Sequence, residues 1–114
     1  MKTLHVISAA LGWRTLERNS MLEIAGLRFS PKKSVFPALT CPAQATLRTG
    51  SSPAEHGVYF NGYWSDELNK PLFWEQSSRI VKGRRIWDER RKAGASVGLF
   101  FFQQSLGENA DVII

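Results

Sequence analysis

Pro42 and Gly50 restrict what this chain can fold into more than any other pair of residues. Proline lacks an amide hydrogen and fits a helix only in its first turn, whereas glycine readily takes the left-handed conformation that closes one. With Thr40, a favoured N-cap, just ahead of the proline, these residues bracket a helix over 41–49. The short apolar run Val35 to Leu39 reads as a brief strand ending at Thr40. The same alternation recurs on either side. Leu4, Val6 and Ile7, within Thr3 to Ala9, predict a buried first strand with Gly12 as its break. Leu16, Met21, Leu22, Ile24 and Leu27 predict one or two short helices between Trp13 and Leu27, with Gly26 as the stop. Arg84 to Ala93 reads as helix and Ser96 to Phe102 as strand, and Asp111 to Ile114 ends the chain in a strand-like run. Alternating strands and helices predict an α/β fold, a partial parallel sheet flanked by helices, built as a single unit over residues 1–114.

A hydrophobic content of 43% with 11% aromatics is enough to bury a core. No apolar run is long enough to span a bilayer, so no membrane association is expected and a cytoplasmic location is the default. The single cysteine, Cys41, has no internal disulfide partner, and with only His5 and His56 beside it there is no structural-zinc spacing. A metal site would have to use oxygen ligands and histidine. The net charge of +5 comes largely from Arg79, Lys82, Arg84, Arg85, Arg90, Arg91 and Lys92. Such a run is either a footprint for a polyanion or the solvated face of a helix. Asp88 and Glu89 within it, and the lack of any nucleic-acid motif, favour the latter, so no nucleic acid is expected.

The candidate chemistry lies at Thr40. A hydroxyl at the start of a helix sits where unpaired amides and the helix dipole favour an anion, and it can attack phosphorus if a metal ion stabilises the alkoxide. A Thr that merely caps the helix fits the same pattern. Cys41 offers a rival thiolate nucleophile, but no dedicated base accompanies it. Ser51 to Gly62 is rich in turn residues, and Tyr63 to Trp74 reads as an irregular loop or lid. Its aromatics, with Tyr59 and Phe60, suit core or lid packing, or stacking on a base or sugar.

Residues 36–50 (FPALTCPAQATLRTG), followed by Pro53, His56, Gly57 and Asn61, resemble the signature of the type I phosphodiesterase and nucleotide pyrophosphatase branch of the alkaline phosphatase superfamily. Residues 73–78, 82–87 and 101–107 resemble a bacterial subgroup of it. The resemblance covers nearly the whole chain but only the opening portion of a longer family domain. It implies a fold like the N-terminal part of the alkaline phosphatase-like domain and hydrolysis of phosphate esters or nucleotide-like small molecules. Two divalent metal ions, zinc in the usual case, would be the cofactors. It makes Thr40 both the catalytic nucleophile and a metal ligand, and Asn61 the donor to a phosphoryl oxygen. His56 matches a family motif too and reads as structural, a buried ring hydrogen-bonded to a loop.

Two departures follow from the same resemblance. Where relatives end the first strand with a metal-ligating aspartate, this chain has Ala9, in the run Ala9 to Trp13. The other family ligands come from sequence beyond Ile114. The chain therefore reads as a fragment or a truncated paralogue of a phosphoric ester hydrolase, or a form altered at Ala9, that is inactive alone. The alternative is a non-catalytic module that binds a phosphorylated ligand or a partner. Exposed sheet edges would also favour self-association. A sedimentation measurement should then find species larger than the monomer, and a clean monomer would refute it.

Overall fold

The computed structural model describes residues 2–114, which form two compact units, one running to Lys33 and the other from Ser34 to Ile114. In the first, helix α1 spans Trp13–Arg18 and buries Leu16. The Asn19 side chain closes its last turn by donating to the Thr15 carbonyl at 2.8 Å. Strands β1, Glu23–Ile24, and β2, Leu27–Arg28, then pair antiparallel. Ala25 and Gly26 between them both take positive φ, at 52° and 77°, as a two-residue turn matched to strand twist requires. The second helix expected before Leu27 is therefore replaced by a hairpin.

The first strand, expected over Thr3 to Ala9, does not form. Its backbone is irregular up to a turn at Ala9 and Ala10, and Leu4 is 85% exposed. Alternating apolar residues make a strand only where another strand supplies ladder partners, and the two strands of this unit pair with each other.

In the second unit, helix α2 spans Thr40–Thr49 and ends at Gly50, whose φ of 67° is the left-handed cap that the sequence predicts. Leu39, rather than Thr40, is its N-cap, and Thr40 is its first helical residue. The strand expected over Val35 to Leu39 is absent; Pro37 donates nothing to a ladder and instead accepts from Leu39 N–H at 2.9 Å. Helix α3, Pro53–His56, begins with Ser52, whose N–H donates to Glu55 at 2.8 Å, closing a capping box. Strands β3, Gly62–Ser65, and β4, Lys70–Phe73, form an antiparallel hairpin where an irregular loop is expected. Asn69, at φ 49°, turns the chain between them.

A 3₁₀ turn at Ser78–Ile80 leads to helix α4, Asp88–Lys92. This helix starts later than the expected Arg84, with Trp87 as its N-cap; the Asp88 carboxylate instead accepts from Arg85 N–H at 2.8 Å and holds the turn before it. Strand β5, Gly98–Leu99, pairs in parallel with β6, Val112–Ile113, and Phe101 at φ 55° cuts short the strand predicted to Phe102. Ser77 and Leu106 form a further parallel bridge. The fold is α/β, but among the described residues parallel pairing is confined to these two places and the other sheets are hairpins.

The apolar core of this unit is small: Cys41 and Ala45 of α2 pack with Val58 and Val81, and Ile80 lies against them. A buried polar cluster lies alongside. Arg48 is 0% exposed; its Nη1 donates to the Gln104 carbonyl at 2.6 Å and to Glu108 at 3.3 Å, and its Nη2 to Gln104 Oε1 at 3.2 Å. Phe102 faces the guanidinium with its ring centroid at 5.5 Å. Arg85 Nε reaches the same Glu108 oxygen at 2.8 Å, and its Nη2 donates to the carbonyls of Ser78 and Val81. Burial, with Arg85 adding to it and Glu108 opposing, pushes the Arg48 pKa down to about 10, which leaves it charged at neutral pH.

Neutralising Glu108 would strand a buried cation. Glu108→Gln is expected to cost about 3 kcal/mol or more of unfolding free energy in denaturant titration. A cost below about 1 kcal/mol would show that the shared carboxylate does not anchor this unit.

Candidate functional site

A helix start leaves its first amides without partners, and at α2 each can be traced. Ala43 N–H donates to the Leu39 carbonyl at 3.0 Å, and Pro42 has no hydrogen to give. Cys41 N–H donates to Asn61 Oδ1 at 3.0 Å. Thr40 N–H alone makes no hydrogen bond among the described residues, and the Thr40 side chain is exposed. The two site residues taken from the sequence are thus brought together, with Asn61 bonded to the residue next to Thr40. Because a backbone N–H only donates, the atom facing it must be the carboxamide oxygen, which fixes the orientation of Asn61. Its Nδ2 makes no hydrogen bond to the described residues. Thr40 N–H and Asn61 Nδ2–H thus both make no hydrogen bond to the described residues, near the first turn of α2, where Thr40 is exposed.

Asn61 is delivered by the turn that follows α3. His56 is fully buried: its Nδ1 accepts from Val58 N–H at 3.1 Å, and its Nε2 lies 2.9 Å from Thr46 Oγ1. A ring nitrogen that accepts carries no proton, so His56 is the neutral Nε2–H tautomer donating to Thr46. Burial holds its pKa below the ordinary histidine value, Arg48 adds to this, and Glu55 opposes it. The expected structural role for His56 agrees with this geometry.

Cys41 is buried, and desolvation pushes its thiol pKa up despite the opposing effect of Arg48. A buried thiol with a raised pKa is not a thiolate nucleophile. Most of the basic run is engaged internally: Arg85 with Glu108, Arg84 and Lys92 with Glu89, and Arg91 with Asp111. The aromatics around the hairpin are not core. Phe60, Trp64 and Phe73 are exposed and, with Leu39, Asn61, Tyr63 and Pro71, line an open apolar cleft of about 460 Å³.

The donors present do not suit a divalent metal. Both His56 nitrogens are engaged, the Cys41 thiol is buried, and the Thr40 hydroxyl has no companion ligand among the described residues. No group of three His, Cys, Asp or Glu side chains among the described residues is placed to hold a metal ion. No helix of the described residues is long and apolar enough to cross a membrane.

The sequence reading missed Arg48, Gln104 and Glu108, which fix α2. A signal was available: Arg48 continues the face of Cys41 and Ala45, where a cation can be held only with a buried partner.

Residues 10–112 match the family model described as type I phosphodiesterase / nucleotide pyrophosphatase. The chain is also 28% identical over 105 residues to ectonucleotide pyrophosphatase/phosphodiesterase family member 3 of Bos taurus, an alignment covering 82% of this chain. The chain spans 11% of the length of that curated relative.

The Asn61 contact yields a substitution series. Asn61→Ala should destabilise the unit by about 1 kcal/mol through loss of the Cys41 cap, whereas Asn61→Asp, which still accepts, should retain most of that stability. Equal losses in thermal unfolding would show that the cap contributes nothing.

Proposed function

Because this chain belongs to the type I phosphodiesterase and nucleotide pyrophosphatase family, we propose that it carries the phosphoryl-binding edge of such an enzyme, with Thr40 as nucleophile and Asn61 as donor to a phosphoryl oxygen. One observation supports this reading above the others: Asn61 accepts from Cys41 N–H, the residue next to Thr40, while Thr40 N–H and Asn61 Nδ2–H make no hydrogen bond to the described residues. A phosphoryl group at the first turn of α2 would find these donors free, and charge developing on its oxygens would be met by them. The helix dipole adds to the attraction. The open aromatic cleft beside Asn61 suits a nucleotide-like ester with a flat apolar substituent.

Divalent metals, zinc above all, are the cofactors that the resemblance implies, and Thr40 would be one of their ligands. Among the described residues Thr40 stands without companion ligands, and a threonine hydroxyl with neither a metal nor a base is a poor nucleophile. The chain by itself is therefore a phosphate-ester binder that does not turn its ligand over. The second reading is a non-catalytic module that binds a phosphorylated ligand or a partner.

Hydrolysis of a chromogenic phosphodiester with added zinc is the test, with Thr40→Ala as control. Turnover should not exceed the control, and zinc-dependent turnover that Thr40→Ala abolishes would overturn the claim of inactivity. Inorganic phosphate should bind, and Asn61→Ala should weaken that binding about tenfold; unchanged affinity would remove Asn61 from the site.

A further inference from the structure

His56 does more than fill space between α2 and α3. Its ring accepts from Val58 N–H, its Nε2 donates to Thr46 on α2, and its carbonyl accepts from Lys82 N–H at 2.9 Å. Val58 is in turn buried against Cys41, whose N–H holds Asn61. A short run of chain, Gly57 to Asn61, thus hangs between two fixed points: the His56 ring at one end and the first turn of α2 at the other.

We propose that His56 is a positioning residue, a proton-sensitive clamp that holds Asn61 against the start of α2 while its ring is neutral and releases it when Nδ1 is protonated. The chemistry is one of donors and acceptors. An imidazolium has only donors, so a proton on Nδ1 would face the Val58 N–H donor to donor, and the turn would have to move. The hydrogen bond to Thr46 survives, because a hydroxyl accepts from either form, so the break falls on the side that leads to Asn61.

The charged and titratable groups around the ring set the direction of the response. Arg48 of α2, buried in the same unit, opposes a second cation; Glu55 of α3 is exposed and favours one; the Cys41 thiol is neutral. Lys82, whose side chain runs alongside Gly57, adds a further positive charge. The balance keeps the folded ring harder to protonate than a free histidine. With a depressed folded pKa, the unfolded chain binds more protons between the two pKa values, so stability is fully present above the ordinary histidine pKa of about 6.5 and is lost as pH falls below it.

This inference rests on the reading of Asn61 as a ligand donor only for its functional consequence; the linkage itself is a matter of hydrogen bonds. Amide hydrogen exchange of the intact chain between pH 7.5 and 5, corrected for intrinsic rates, tests it. The protection factors of Val58 and Cys41 should fall together by about tenfold, one hydrogen bond's worth, as the His56 ring titrates. Ile114 N–H, which donates to Leu99 in the β5–β6 ladder, should stay protected. Retained protection at Val58 and Cys41 while the ring titrates would overturn the clamp, as would simultaneous loss at Ile114, which marks global unfolding. His56→Gln, which cannot titrate, should flatten the profile; a profile unchanged from the native chain would also overturn it. Phosphate binding at pH 7.5 is measured separately, so failure of the Asn61 donor reading leaves the exchange result standing.

Discussion

Two guanidinium groups converge on the carboxylate of Glu108, and the second unit is organised around that imbalance. One of them, Arg48, is wholly out of water, so its charge is tolerated only because Glu108, Gln104 and the Phe102 ring surround it. Arg48 projects from α2, while its partners lie on the segment that leads into β6. Gln44, one turn earlier on α2, accepts from Gln103 N–H at 2.8 Å and adds a second tether to the same segment. The helix that presents Thr40 is thus held along one side by polar contacts, and the apolar core beside it needs only small side chains. Where bulky residues would fill a larger interior, this unit uses hydrogen bonds whose geometry permits one arrangement.

The opposite end of α2 is finished differently. Its cap comes from Asn61, 20 residues further along the chain, because neither Leu39 nor the residues before it carry a side chain that caps it. The two ends of this carboxamide differ: the oxygen is held by Cys41 N–H, and Nδ2 makes no hydrogen bond to the described residues. An aspartate would keep the acceptor and lose the donor. A structural hydrogen bond thus sets the orientation of the Asn61 side chain.

Much of α2 was legible in the sequence, since Pro42 and Gly50 each permit few conformations and the helix between them has no competing pattern. The pairing of Thr40 with Asn61 came from the family resemblance, and the spacing alone would not have found it. The expected first strand failed for a different reason: periodicity reports which face is apolar, not whether a partner strand is present. The hairpin β3–β4 was missed because Pro71 argues against a central strand but not against an edge, and both strands here are edges. α3 carried its own signal in Ser52 and Glu55, three residues apart, which the turn-rich surroundings hid. Arg48 was overlooked because a cation in a helix is ordinarily solvated, and only the burial of its neighbours on the same face marks it as different.

The distant cap also has a consequence for the order of folding. A helix capped from within can nucleate as soon as its own turn closes, but α2 has a proline in its first turn and draws its cap from a turn that must itself be closed by His56. Closing that loop costs chain entropy before the contact returns any. The Gly50 end of α2 can therefore form early and from local sequence alone, whereas the Thr40 end becomes ordered only once the region around Asn61 has folded. The end of the helix that carries the exposed Thr40 is in this sense the last to be assembled and the first to open, so the least protected backbone of α2 lies in its first turn.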